Sequence, residues 1–393
     1  MSQNKFLAAA FGLSLLTFFA PVTSAQNSKD FTPSECFVYV GTYTGGTSKG
    51  IYLYRMDMET GVLTSEGLAA ETPNPTFFDL TTNGKFLYAA DEVNNFQGKH
   101  AGSVGAYSVE RGTGKLTLLD ERSTVGDGPC HILIDHSGKD ALIANYGGGS
   151  VAVLPIEADG KVDDASTFIQ HHGKSINPDR QQKPHAHFIT VDPANRFAFV
   201  CDLGLDKIMS YRFAAAAGKL TPNDPPFTEI KPGSGPRHLA FSANGRFAYL
   251  INEMASTINV FNYDATHGVL AEMQTISTLP ADFKGSSTGA EIAIHPSGKY
   301  LYASNRGDDS IAFFAINPAN GTLSFVQRQS VQGKTPRYFG IDPTGKYILD
   351  ANQDSNNLVL FVINPENGQL TFTGKTWELG SPVCVKFLPI RPK

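Results

Sequence analysis

A short phrase returns seven times along this 393-residue chain: a tight turn of the Pro-x-Gly-Lys kind, a strand mixing aromatic and aliphatic residues, then a Gly-x-Leu or Gly-x-Val step. Such a repeat stacks as modules around one core, so it constrains the architecture more than any single residue does. The clearest copies are DPTGKYILDANQ (342–353) and HPSGKYLYASNR (295–306); SANGRFAYLINE, DPANRFAFVCDL, DHSGKDALIANY and LTTNGKFLYAADE are looser ones. The glycine of the second step falls at Gly61, Gly114, Gly160, Gly218, Gly268, Gly321 and Gly368. A unit of about 50 residues is the size of a propeller blade.

Each unit reads as four short strands. In the last full copy these are PRYFGID, KYILDAN, NLVLFVIN and QLTFTGK, called A to D below, each bounded by turn residues. Period-two alternation rich in Val, Ile, Tyr and Phe predicts sheet, and the Pro-x-Gly segments predict hairpin turns. Four antiparallel strands per unit, set around an axis, leave only short and protected edges. The expected fold class is therefore all-β, a seven-bladed β-propeller of four-stranded antiparallel blades. The chain opens at CFVYVGTY, a B strand with no A strand ahead of it, and stops at SPVCVKFLPI, an A strand with no B strand after it. The C-terminal strand is thus predicted to close the ring by joining the N-terminal blade.

The repeat runs from Cys36 to Ile390 without a linker, which assigns residues 36–393 to one propeller domain in spite of their number. A net charge of −5 with no basic run gives no electrostatic footprint for nucleic acid. Ahead of the repeat, Lys5 is followed by an apolar run from Phe6 to Ala20, then Pro21 and the small residues Thr23, Ser24 and Ala25. Residues 1–25 read as a signal peptide and 26–35 as a short linker. The expectation is an exported protein, periplasmic or secreted, with no membrane attachment after cleavage, since the run is short for a bilayer span. Of the four cysteines, Cys36 and Cys384 lie on the strands that close the ring, but the hairpin register sets Cys384 opposite Gly41. Free or buried thiols are expected, and no cysteine spacing resembles a zinc framework.

In every blade the start of A, the end of B and the connection from D to the next A share one rim around the axis. The ninth residue after the turn opener is Thr42, Asp91, Asn145, Asp202, Asn252, Asn305 and Asn352, polar in all seven units; Tyr43, Glu92, Tyr146, Leu203, Glu253, Arg306 and Gln353 follow. Six residues before the opener stand Thr76, Cys130, His187, Arg237, Ala290 and Arg337. A repeated Asn or Asp at a strand end usually serves the turn, by bonding the following backbone. Asn305 and Asn352 are nevertheless kept as candidates for substrate binding. Residues that differ between blades are not explained by repetition. His187, Arg237, Glu253 and Arg306 should point into one half of the mouth, with Glu291 and Arg337 beside them. A histidine, a carboxylate and several arginines converging on one cleft bind an anionic substrate and transfer protons; the structural alternative is a salt-bridge cluster holding blades together.

The stretch from Glu157 to Lys183, containing HHGKSINPDRQQ, and the loop DEVNNFQGKHAG should both overhang this face, and excess loop often sits on the working face. His171, His172, His185 and His187 raise the question of a metal, because a His-x-His on a strand puts both rings on one side. No carboxylate is fixed nearby by the pattern. No metal is expected, and His185 is assigned to substrate binding.

Several segments resemble the seven-bladed propeller lactonases that include one type of 6-phosphogluconolactonase and the fungal carboxymuconate-lactonizing enzymes. They are KPHAHFITVDP with His187, GPRHLAFSANGRFAYLINE with Arg237 and Glu253, AEIAIHPSGKYLYASNRGDDSI with Glu291 and Arg306, and TPRYFGIDPTGKYILDANQDSN with Arg337. The resemblance spans nearly the whole mature chain. It implies ring-opening hydrolysis of a small-molecule lactone at the mouth, without an obligatory metal or other cofactor. Glu253 or His187 would take the proton from water, while Arg237 and Arg306 hold the oxyanion and any acidic group of the substrate. Export departs from the family picture, because phosphorylated sugar lactones do not cross membranes freely; an unphosphorylated aldonolactone suits an exported chain. The alternatives are a carboxymuconate-type lactonizing enzyme and a non-catalytic propeller that binds a ligand or a protein at the same mouth.

Overall fold

Seven four-stranded antiparallel sheets form the molecule in a computed structural model that describes residues 32–391 together with Met1. The expected signal peptide and most of the expected linker lie outside the described residues. Blade 1 combines both ends of the chain, in the order Pro382–Pro389, Glu35–Thr42, Gly50–Asp57 and Leu63–Glu71. The closing pair runs from Cys36 opposite Pro389 to Gly41 opposite Cys384, so the register keeps the two cysteines apart. All four cysteines are buried and free. Blades 2 to 7 each take four consecutive strands. In blade 7 these are Pro336–Ile341, Tyr347–Asn352, Asn357–Ile363 and Leu370–Glu378, the four segments expected from the repeat. Among the described residues, helix is confined to one short 3-10 turn, Ala215–Ala217.

Burial falls off from the axis outward, as the composition of the strands requires. Every residue of the B strands Asp140–Asn145, Phe197–Asp202, Phe247–Asn252 and Tyr347–Asn352 is buried, because both faces of an inner strand pack on neighbouring blades. A strand covered on both sides reads as a continuous apolar run, and a strand with one wet face reads as an alternation. The D strand Leu323–Ser330, on the outer edge, is buried only at Leu323, and its remaining residues are exposed or half-buried.

The recurring glycine explains how blade meets blade. All seven Gly-x-Leu/Val glycines have positive φ, from 56° to 89°. Each packs against a residue at or near the start of the B strand in the preceding blade: Gly114 on Phe37, Gly160 on Phe86, Gly218 on Asp140, Gly268 on Phe197, Gly321 on Phe247, Gly368 on Tyr300 and, across the closure, Gly61 on Tyr347. A Cβ at Gly114 would stand 2.8 Å from the Phe37 ring, and one at Gly321 would stand 2.5 Å from Phe247. In four blades a tyrosine two residues further along B donates its hydroxyl to the carbonyl of the same glycine: Tyr39 to Gly114 (2.6 Å), Tyr88 to Gly160 (2.9 Å), Tyr249 to Gly321 (3.0 Å) and Tyr302 to Gly368 (2.7 Å). The alternation that predicts sheet thus also builds the seam.

Two stability outcomes follow. Ending the chain before Pro382 removes the whole A strand of blade 1 and exposes its B strand, so the truncated protein should lose its cooperative thermal transition; a melt like that of the full chain would refute closure by this strand. Replacing Gly114 with Ala demands both a left-handed backbone and room already taken by Phe37. Chemical denaturation should show a loss of about 1–3 kcal/mol.

Candidate active site

Each A strand carries a local irregularity at the rim, and it is this that delivers the unlike residues to the mouth. Pairing between A and B skips at Thr76, Cys130, His187, Arg237 and Arg337, between Gly289 and Ile292 in blade 6, and between Pro382 and Cys384 in blade 1. A bulge leaves one residue unpaired and re-aims its side chain. The residues six before the turn opener are these bulge residues, which is why one repeated position can carry a threonine, a thiol, an imidazole and two guanidiniums without disturbing the ladder.

The mouth encloses a cavity of about 320 Å³ lined by Tyr43, Glu92, Cys130, Tyr146, Arg180, His187, Glu253, Thr288, Arg306 and Arg337. Every blade contributes. At its centre Glu253 is 4% exposed and holds three arginines: Arg180 donates to Oε1 at 2.5 Å, Arg306 to Oε2 at 2.9 Å, and the Arg237 Nε to Oε2 at 3.2 Å. His187 Nε2 stands 3.8 Å from Oε2, too far for a direct hydrogen bond. A larger hollow of about 390 Å³ lies at the outer edge between blades 1 and 2, lined by residues such as Leu53, Leu68 and Arg55. Its arginine is already paired with Glu35 and Glu66, and it offers no group suited to acyl chemistry.

Burial sets the protonation states in the mouth. It would raise the Glu253 carboxyl, but the guanidiniums of Arg306, Arg237 and Arg180 together outweigh it and hold the group well below the usual carboxylate range. Burial, reinforced by Arg237, drives His187 well below the ordinary histidine value, so its imidazole is neutral at pH 7. The Cys130 thiol is pushed up by burial and stays protonated, giving its hydrogen to the carbonyl of His187 at 3.2 Å.

Four of the expected residues, His187, Glu253, Arg306 and Arg337, line the cavity. Arg237 sits beneath Glu253 instead, with its Nη1 donating to the Ala290 carbonyl at 2.7 Å and approaching His238 Nε2 at 3.3 Å. Glu291 is one step further back, where its Oε2 meets His238 Nδ1 at 2.9 Å, and burial pushes its carboxyl up to about 8. His185 lies outside the cavity lining, stacked on Tyr146 with ring centroids 4.5 Å apart. Asn305 and Asn352 are fully buried and tie the end of B to the incoming connection, Asn305 to the Thr278 carbonyl (3.2 Å) and Asn352 to the Val331 carbonyl (3.3 Å). Their geometry is that of the turn device. Among the described residues no group of three or more His, Cys, Asp or Glu is arranged to hold a metal ion. His171 is instead buried against Asp202 (2.7 Å) and Tyr211 (2.9 Å).

Arg180 is the main residue that strand alignment misses, because it belongs to the overhanging loop. That loop is built to present it. Asp206 accepts from Ser175 Oγ (2.6 Å), Gln181 Nε2 (2.7 Å) and the backbone N–H groups of Gly233 (2.6 Å) and Gly235 (2.7 Å), which fastens the loop and the approach to Arg237 to one carboxylate. The only sequence signal was loop length on the working face.

Residues 37–387 match the family described as "Lactonase, 7-bladed beta-propeller". The chain belongs to the seven-bladed β-propeller lactonases. As such it is a lactone-hydrolysing carboxylic-ester hydrolase. It is 37% identical over 301 residues to a 6-phosphogluconolactonase of Bacillus subtilis, covering 77% of this chain and 83% of that one. Among solved structures it is similar to a periplasmic gluconolactonase of Pseudomonas aeruginosa, at a TM-score of 0.86 and 36% identity over 91% of this chain and all of the other. A putative 6-phosphogluconolactonase of Bacteroides fragilis gives 0.84 and 38%, covering 90% and 98%.

Glu253 should stabilise this lactonase as well as serve it. Its folded pKa is depressed, so its contribution is fully present above the unfolded value of about 4.3 and is lost as pH falls through the folded one. The Glu253→Gln variant leaves buried guanidiniums unpaired, and should lose about 3–5 kcal/mol at pH 7. Thermal melts across pH should show the gap constant at neutral pH and narrowing only in acid below about 4.3.

Proposed function

We propose that the mouth hydrolyses an unphosphorylated aldonolactone outside the cytoplasm, with His187 as the base. The observation that carries this reading is a neutral imidazole, with Nε2 unclaimed, beside a carboxylate that three arginines hold in place. Glu253 is a poor base because guanidinium donors occupy both of its oxygens. The role requires the neutral His187 ring to carry its proton on Nδ1, so that water gives its proton to Nε2 as the water oxygen bonds to the lactone carbonyl carbon. Charge developing on the carbonyl oxygen is met by Arg306 and Arg180, the two cavity-lining guanidiniums that flank Glu253. When the tetrahedral intermediate collapses, the ring C–O bond breaks and the departing alkoxide recovers the proton from His187. The acid product is left facing the same arginines.

The exported setting is supported by the Lys5–Ala25 pattern and by similarity to the periplasmic gluconolactonase. A second reading, 6-phosphogluconolactone as substrate, is favoured by the charge of the site. Arg180, Arg306 and Arg337 share the cavity lining with only Glu92 and Glu253 as carboxylates, and Arg237 adds a positive charge beneath, which leaves cationic excess for an anionic group. The two readings separate on kcat/KM for glucono-δ-lactone against its 6-phosphate, measured with and without chelator after subtracting spontaneous opening. Higher kcat/KM for the phosphate would overturn the unphosphorylated reading. Recovery of the chain outside the cytoplasm, cleaved after Ala25, is the outcome expected for export.

Replacing His187 with Asn should lower kcat by about 10²–10⁴. The base must be neutral to act, and its pKa is depressed, so the wild-type kcat/KM should stay level through neutral pH. It should fall only below the ordinary histidine value of about 6.5. An acidic limb centred at or above that value would remove His187 from the role.

A further inference from the structure

Two carboxylates line the mouth, and they are held in opposite ways. Glu253 has guanidinium donors on both oxygens. Glu92, which follows the B strand Phe86–Asp91 of blade 2, has no ion pair within 4.0 Å among the described residues and is braced by hydroxyls alone. Tyr43 donates to its Oε2 at 2.9 Å and Thr76 Oγ1 donates to the same atom at 2.8 Å. Arg337 in turn donates to the Tyr43 oxygen at 3.0 Å, which commits the tyrosine proton to Glu92 and fixes the direction of the chain. The backbone is pinned as well, with the Glu92 N–H donating to the Asn74 carbonyl at 2.9 Å. Glu92 Oε1 has no hydrogen-bond partner among the described residues, and the side chain lines the cavity.

A carboxylate offers about four acceptor positions, of which Tyr43 and Thr76 occupy two. An oriented carboxylate with spare acceptor capacity, its nearest cation held one step away on the Tyr43 oxygen and a cavity in front of it is a receptor for neutral hydroxyl donors. An anionic group would be repelled there and drawn to the arginines of the other half. The cavity thus has a side from blades 4 to 6 and the Arg180 loop, where guanidiniums surround Glu253 and the acyl carbon is handled, and a side from blades 1 and 2, bordered by Arg337 of blade 7, where Glu92 is suited to whatever the substrate carries away from its carbonyl.

Building on the aldonolactone reading, we propose that Glu92 is a specificity-determining residue that accepts hydrogen bonds from the substrate's ring or side-chain hydroxyls, selecting polyhydroxylated lactones over bare ones. Hydrogen bonds to a charged group are worth enough to decide this. The test compares glucono-δ-lactone with δ-valerolactone, which has the same ring and no hydroxyls, for wild type, Glu92→Gln and Glu92→Ala, with thermal melts to confirm folding. In Glu92→Ala the ratio of kcat/KM for the two lactones should fall about 10- to 100-fold, mainly through KM, with Glu92→Gln between. An unchanged ratio, whether both activities fall equally or neither falls, overturns the proposal. Calorimetric titration with gluconate separates this from failure of the catalytic reading. If no lactone is turned over, gluconate should still bind the wild type and bind Glu92→Ala more weakly by a similar factor; absence of binding to the wild type, or equal binding, refutes the hydroxyl receptor.

Discussion

The ring stands on one contact made seven times, a left-handed glycine in the C–D turn of one blade pressed onto a residue near the start of the B strand in the blade before it. The contact admits no side chain on one partner and in six blades requires an aromatic ring on the other. Four tyrosine hydroxyls reinforce it by capping the glycine carbonyls. Away from the axis each blade packs on its two neighbours, and the seam between blades 7 and 1 is made by Gly61 on Tyr347. There the Tyr347 hydroxyl donates to the Glu59 carbonyl at 3.0 Å, a variant of the same device. Rigidity at the periphery is what lets the inner strands carry irregularities.

Those irregularities concentrate charge where a smooth ladder would bury apolar residues. A carboxylate in a low-dielectric site is costly unless it is paired and hydrogen-bonded, and Glu253 meets that condition with three guanidiniums drawn from two blades and a loop. Beneath them the axis is filled by a collar of rings, with Phe77 on His131 at 4.1 Å, His131 on Phe188 at 4.1 Å and Phe188 on His238 at 4.8 Å. The collar lies under the mouth and sets apolar and uncharged rings against the lower face of the arginine cluster, and a low-dielectric floor strengthens each charge interaction above it.

Much of this was legible in the sequence, for a physical reason: turn chemistry and period-two alternation are local, and together they fix register. The pairing of Gly41 with Cys384 and the whole of blade 7 follow from them. So does the alignment column that proves to be the bulge position, and with it the placement of His187 and Arg337 at the mouth. What was not legible depends on contacts between distant segments. Glu291 follows the bulge column by one residue, and that step turns its side chain down the channel onto His238 rather than into the cavity. Asn305 and Asn352 share a column with Glu253's neighbour Asn252, but their amides are spent on the D-to-A connections. Arg180 is placed by Asp206 through hydrogen bonds spanning 25 to 31 residues, to which no periodic pattern corresponds.

The misplacement of Glu291 also clarifies what Arg237 does. Arg237 donates toward His238 Nε2, so that nitrogen must be the acceptor and the ring proton sits on Nδ1, facing Glu291 Oε2. Glu291, His238, Arg237 and Glu253 therefore form one continuous row of hydrogen bonds, buried throughout, whose donors diverge from Arg237, towards His238 and Glu291 on one side and towards the carboxylate at the centre of the mouth on the other. Its far end titrates near 8, whereas Glu253 stays ionised far into acid. The mouth can thus keep one geometry while the row behind it gains or loses a proton, because the guanidinium in the middle remains charged in both states. Arg237 is in this sense the keystone between a catalytic surface contributed by the bulges and a buried support contributed by the residues just after them. Both lie on the same inner strands, one residue apart.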